Sequence, residues 1–181
     1  ISSVIALAHS DAFKPQFVDT LVEPYLTIQK GLADDSLKAA KAGGSSFIEA
    51  MKSAPHKGEA HEEAMDLSKP AKIVANAKDI KVARAAFLDL SRQMTSLVQH
   101  IGVTSDTPLY EAFCPMAFDN KGGSWIQADE TVSNPYYGSM MLRCGSIKKQ
   151  IAGSEAHSGN SDHSGHGEMP MKKDDHSGHS H

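Results

Sequence analysis

Apolar positions recur every three or four residues along much of the first hundred positions, which predicts amphipathic helices. The regular runs cover approximately residues 13–32, 34–51, 59–76 and 79–101. The last run is the most regular, with Asp79 placed as an N-cap and Gly102 at its end. Pro24 lies inside the first run, where we expect a kink or a break because proline has no backbone N–H to donate.

Short connections between amphipathic helices favour antiparallel neighbours. The predicted fold class is therefore all-α, an antiparallel four-helix bundle over residues 9–101. The periodicity ends after Gly102, and residues 102–152 are predicted to be an irregular segment packed on this bundle. In that segment, Asn134-Pro135 indicates a turn, "SWIQADETV" a short strand or hairpin, and residues 139–144 one helical turn.

Residues 153–181 are rich in Gly, Ser and His and are predicted to be a disordered tail in the absence of a ligand, because they have too little apolar surface to bury. Residues 1–8 end in Ala-Leu-Ala, the small-x-small form of a signal-peptidase site. We interpret them as the remnant of an export signal, which would place the protein in a periplasm or another exported space. A buried first strand or helical turn is the alternative.

The formal net charge is -4, and no basic patch favours a nucleic-acid partner. No apolar run of about 20 residues predicts a membrane span. The sequence contains no recognisable nucleophile–base pair, phosphate-binding loop or paired carboxylates. We therefore expect a binding protein and not an enzyme.

The irregular segment concentrates soft sulfur donors. Pro115 favours an extended backbone at the residue before it, so Cys114 and Met116 can face the same side. One helical turn over residues 139–144 would bring one of two methionines beside the second thiol. Thiolates and thioethers favour Cu(I), whereas zinc normally takes further Cys or His ligands. The predicted ligands here are Cys114, Met116, Met140, Met141 and Cys144.

Two other interpretations of these sulfur residues remain open. Cys114 and Cys144 could form a structural disulfide, which an exported compartment would permit. The methionines could be core residues, as most methionines are, and Met94 in the fourth run is assigned to the core.

The tail combines imidazoles with two methionines. A neutral imidazole binds Cu(II), Zn(II) and Ni(II), and a flexible His-x-x-His segment lets two rings reach one ion. An expression tag or an inert polar tail is the alternative. The predicted tail ligands are His157, His163, His166, Met169, Met171, His176, His179 and His181.

Two stretches, "FCPMAFDNKGGSWIQ" and "NPYYGSMMLRCG", resemble the signature of a bacterial family of exported helical domains long labelled as of unknown function. The same family forms the C-terminal domain of CusB-type periplasmic adaptors of heavy-metal efflux pumps. The resemblance covers roughly residues 13 to 150. It implies handling of copper or other heavy metals through Cys114, Met116, Met141 and Cys144, with Met140 as the alternate, and an efflux pump or adaptor as partner.

Together these features predict an exported protein that binds copper or another heavy metal in resistance or homeostasis. The Cys/Met segment would hold a soft ion and the tail would capture ions. The alternative is a disulfide-closed helical interaction module that docks on a metal efflux system and has no metal site in its folded body.

Overall fold

The computed structural model describes residues 13–54 and 59–153. The predicted signal remnant and all the predicted tail ligands lie outside these ranges. The helices are α1 (Pro15–Ala33), α2 (Leu37–Ala50), α3 (Glu59–Asn76), α4 (Ile80–His100) and the single turn α5 (Ala117–Asn120). The strands are β1 (Leu109–Cys114), β2 (Gly123–Gln127) and β3 (Ser146–Ala152). Two 3₁₀ turns lie at Met51–Ser53 and Gly138–Met141.

The four long helices form where the apolar periodicity predicts them. Asp79 caps α4, its carboxylate accepting a hydrogen bond from the Val82 N–H at 2.9 Å. Helix α1 continues through Pro24, so the break expected there does not occur. Leu21, Tyr25 and Ile28 are buried on both sides of the proline, and this packing stabilises the helix around the missing hydrogen bond.

Neighbouring helices pack in chain order, and α1 also contacts α4. Gly43 and Gly44 make close packing possible around α2. A Cβ on Gly43 would lie 2.7 Å from the Ile28 backbone nitrogen, and one on Gly44 would lie 2.9 Å from that of Ala75. Although glycine weakens an isolated helix, these two allow the backbones of α1 and α3 to approach α2.

The predicted all-α fold class is wrong, because residues 109–152 contribute a three-stranded antiparallel sheet. Its order is β2-β1-β3, with β1 in the centre. The pairing of β1 with β3 shifts register between Leu109 and Tyr110 and again between Glu111 and Ala112. Such irregularities interrupt the alternation of apolar and polar residues by which a strand is recognised in a sequence.

The sheet belongs to the same hydrophobic core as the helices, and β2 packs against both α4 and α1. The Tyr25 hydroxyl on α1 accepts a hydrogen bond from the Ile126 N–H of β2 at 2.9 Å and lies 2.7 Å from the Ser91 hydroxyl of α4. Trp125, on β2, is fully buried. The segment after Gly102 therefore contributes residues to the same hydrophobic core as the helices and does not merely pack on the surface of the bundle.

Candidate metal-binding site

The fold brings the two cysteines into contact although they are 30 positions apart. Cys114 is the last residue of β1, and Cys144 lies two residues before β3 begins. Because Phe113 pairs with Ser146 in the antiparallel ladder, both cysteines lie at the same end of the sheet. Their Sγ atoms are 3.0 Å apart, and both are free thiols in this structure.

Gly145 allows the second cysteine to approach the sheet this closely. Its φ is +122°, and a Cβ there would lie 2.7 Å from the Phe113 carbonyl oxygen. A side chain would therefore meet both backbone strain and a collision with β1. Glycine at this position lets the chain enter β3 while Cys144 remains beside Cys114.

The two thiols differ in solvent exposure. Cys114 is fully buried, whereas Cys144 is half-buried, so the pair is reached from the Cys144 side. A hydrogen bond with Cys114 raises the pKa of the Cys144 thiol above its usual range, and burial adds to this effect. A cation that binds the Cys144 sulfur must therefore displace its proton, and the affinity for the cation should rise with pH.

The predicted methionine ligands lie in the segments that flank the thiols. Met116 is 45% exposed and Met140 is 79% exposed, so neither is used as core filler. Met141 is half-buried, and its carbonyl oxygen accepts a hydrogen bond from the Cys144 N–H at 2.9 Å. By contrast, Met94 on α4 is fully buried, which confirms its assignment to the core.

Two long-range contacts hold the methionine-bearing segments near each other and against the helices. The Tyr137 hydroxyl donates to the Met116 carbonyl oxygen at 2.6 Å. The Asp35 carboxylate accepts from the Ser139 N–H at 2.9 Å and pairs with Arg84 of α4 at 2.7 Å. The 3₁₀ turn that carries Met140 and Met141 is thereby fixed to the junction of α1 and α2.

The turn that follows Met116 is conformationally strained. Phe118, Asp119 and Asn120 all have positive φ, with values of 53°, 57° and 64°. Left-handed conformations cost L-residues about 1–2 kcal/mol each, although Asp and Asn tolerate them better. Phe118 has no such tolerance. Its ring packs edge-on against Tyr136 at 5.0 Å between centroids, and this contact helps to hold the turn in place.

The distance between the two sulfurs lies between that of a disulfide bond and that of two thiolates bound to one metal ion. A disulfide has its sulfurs about 2.05 Å apart, whereas two thiolates bound tetrahedrally at about 2.3 Å from one ion are roughly 3.8 Å apart. From the observed 3.0 Å, either state needs a change in sulfur separation of about 1 Å. Cys144, which lies outside the sheet, is the partner that can move.

Within residues 13–54 and 59–153, no group of three or more His, Cys, Asp and Glu side chains is placed to hold a metal ion. Among the four long helices and the other described elements, no helix is long and apolar enough to cross a membrane.

Several supporting residues are not identifiable from the sequence as part of a site. In the sequence, Asn134 and Gly145 stand at the two ends of the second signature stretch without an indicated role in a site, and nothing singles out Asp35 or Arg84. The Asn-Pro and Cys-Gly dipeptides are a local signal of constrained backbone. The pairing of Asp35 with Arg84 spans 49 positions and has no local signal.

Part of the chain matches a known family model. Residues 21–106 match the model of a family described as "Protein of unknown function (DUF3347)". This part of the chain resembles that family. No curated protein and no solved structure shows a significant match. The matched region runs from within α1 to the loop before β1 and ends before both cysteines.

Proposed function

We propose that this protein is a non-catalytic, exported metal-binding protein that holds a soft cation such as Cu(I) between Cys114 and Cys144. The observation that carries the proposal is the contact between these sulfurs at 3.0 Å, reached through a half-buried Cys144. Two adjacent thiols favour thiophilic ions over hard cations. Exposed methionines on both flanking segments offer thioethers of the same preference.

The histidine-rich tail has a supporting role in this proposal. It begins at Gly153, directly after β3, so it is tethered to the domain that contains the thiol pair. A tethered set of weak ligands raises the local ion concentration at a tighter site on the same chain. The proposed setting is resistance to copper or another heavy metal, with an efflux pump or adaptor as the recipient, as the signature resemblance implies.

The same sulfur contact favours a second candidate, a disulfide-closed interaction module. Oxidation of the pair would fix the start of β3 to the end of β1 and remove both thiolates. This candidate predicts that chains purified without reductant from an oxidising compartment contain no titratable thiol. The metal-binding proposal predicts two.

The proposal is tested by anaerobic Cu(I) titration of the reduced full-length chain against a chromophoric Cu(I) chelator. The chelator is kept at a concentration that outcompetes weak sites, so that only a tight site is counted. We expect the parent to retain one Cu(I), and Cys114→Ser and Cys144→Ser each to lose it. Retention of that ion by both variants would refute the thiol pair as the site.

The contribution of thioethers is measured with a matched pair of methionine variants. Met116 lies two positions after Cys114 and is 45% exposed, and Met65 is 44% exposed on α3, which packs against α2 and α4. If Met116 is a ligand, Met116→Leu weakens Cu(I) binding and Met65→Leu does not. Equal affinities for the two variants would remove Met116 from the ligand set while leaving the thiol pair in place.

A further inference from the structure

Asn134 is fully buried in the loop between β2 and the 3₁₀ turn, and both ends of its side chain are hydrogen bonded. Its Nδ2 donates to the Cys144 carbonyl oxygen at 2.8 Å. Its Oδ1 accepts from the N–H groups of Tyr136 and Tyr137 at 2.8 and 3.3 Å. Its backbone N–H donates to the Leu142 carbonyl oxygen at 2.8 Å. This one residue therefore joins the aromatic turn to the Cys144 segment.

The two thiols depend on this connection unequally. Cys114 is held by the central strand, which pairs with neighbours on both sides. Cys144 lies outside the strands, and within the described residues its own N–H bonds only in its turn, to the Met141 carbonyl oxygen. Its carbonyl oxygen accepts a hydrogen bond from the Asn134 side chain, ten positions earlier in the chain.

Asn134 can hold the Cys144 backbone in place because the turn that contains Asn134 is itself hydrogen bonded to α4 and β2. Arg84 of α4 donates from Nε to the Pro135 carbonyl oxygen at 2.8 Å. The Tyr136 hydroxyl donates to the Ser124 carbonyl oxygen of β2. These contacts fix the loop to a helix and to the sheet, so that the Asn134 amide is a rigid support for the Cys144 backbone.

We infer that Asn134 is a positioning residue that holds the Cys144 thiol at the Cys114 thiol. The inference rests on the proposed function only for its consequence in metal binding, because the proximity of the thiols can be measured without metal. That measurement is the equilibrium of the reduced chain with oxidised glutathione. One intrachain S–S bond forms, the glutathione disulfide accepts the two electrons, and the two thiol protons end on two reduced glutathione molecules.

The decisive variant is Asn134→Asp, which keeps an oxygen acceptor toward Tyr136 and Tyr137 and replaces the NH₂ donor. In its ionised form the carboxylate cannot donate to the Cys144 carbonyl, and it repels that oxygen. The matched control is Asn76→Asp on α3, where the exposed amide donates to the Lys72 carbonyl oxygen at 2.9 Å. Both substitutions make the same chemical change, at the site and away from it.

We expect Asn134→Asp to lower the equilibrium constant for the intrachain disulfide about tenfold, comparable to the net contribution of one hydrogen bond. The equilibrium constant of Asn76→Asp should stay within about twofold of the parent's. A twofold change corresponds to less than half of the net contribution of one hydrogen bond. Urea unfolding of each variant shows that folded protein is being compared. A folded Asn134→Asp variant with the parent's equilibrium constant would overturn the inference.

A second measurement, on the unsubstituted chain, is independent of whether that variant folds. In nuclear magnetic resonance spectra, the side-chain amide signal of Asn134 should shift when the pair is oxidised, and that of Asn76 should not. An unchanged Asn134 signal would also overturn the inference. If the parent binds no Cu(I) while Asn134→Asp still alters the disulfide equilibrium, the proposed function fails and the positioning role stands.

Discussion

Gly138 occupies a position where any side chain would disturb the anchor of the methionine-bearing turn. Its φ is +60°, and a Cβ there would overlap the Asp35 carboxylate and the Arg84 guanidinium. Gly102 is also left-handed, at φ +86°, and no atom of the described residues beyond its chain neighbours lies within 4 Å of the equivalent position. The pair Gly138→Ala and Gly102→Ala therefore separates backbone strain from collision with the Asp35–Arg84 ion pair.

The expected magnitudes follow from the interactions that each substitution disrupts. Alanine in a left-handed conformation costs about 1–2 kcal/mol, and Gly102→Ala should cost only this. Gly138→Ala also displaces Asp35 from the Arg84 guanidinium and the Ser139 N–H. The Asp35 side chain is 40% exposed, so we assign about 1 kcal/mol to each of these two interactions. The total for Gly138→Ala is then about 3–4 kcal/mol.

The assay is urea unfolding at pH 7, followed by the fluorescence of Trp125, the one tryptophan of the chain. Trp125 is fully buried on β2, so its emission reports loss of the shared core. In an Asp35→Ala background, the cost of Gly138→Ala should fall toward that of Gly102→Ala. The reasoning is refuted if Gly138→Ala and Gly102→Ala destabilise the protein equally.

Two further predictions concern stability. Hydrogen bonds from Ser139 and Arg84 lower the Asp35 pKa from 3.8 to about 2. The contribution of ionised Asp35 to the stability of the fold is therefore complete above pH 3.8 and is lost as the pH falls through 2. Urea midpoints from about pH 5 to pH 2 should therefore show the gap between parent and Asp35→Asn narrowing below pH 3.8, and a constant gap would contradict this. Tyr25→Phe should cost about 1–3 kcal/mol in urea unfolding, because it leaves the buried Ile126 N–H without an acceptor. A loss below about 0.5 kcal/mol would show that this N–H finds another partner.

The helices were predictable because their signals are local. Helix α4 carries its apolar stripe and its Asp79 cap within one continuous segment. A short strand or hairpin was expected at "SWIQADETV", where β2 lies, but β1 and β3 were missed, because the register shifts between them break the period of two. Gly43 and Gly44 do weaken a helix intrinsically, but tertiary packing overrides that property here.

The residue types of the candidate site could be predicted from the sequence, but their contacts could not. Sulfur donors can be identified in the sequence, but the contact between Cys114 and Cys144 depends on the register of β1 with β3. The buried amide of Asn134 bonds to the Cys144 carbonyl ten positions away, and Asp35 pairs with Arg84 across 49 positions. Only the folded structure determines such partners.

The central claim is that Cys114 and Cys144 together bind a soft cation, and alkylation of the thiols tests it most directly. The reduced full-length chain is treated anaerobically with iodoacetamide, with and without one equivalent of Cu(I), and the adducts are located by peptide mass spectrometry. Without metal, both cysteines should be alkylated, Cys144 faster than the buried Cys114. With one equivalent of Cu(I), we predict that both are protected. Retention of copper by a chain whose two cysteines are alkylated as fast as without metal would contradict the account.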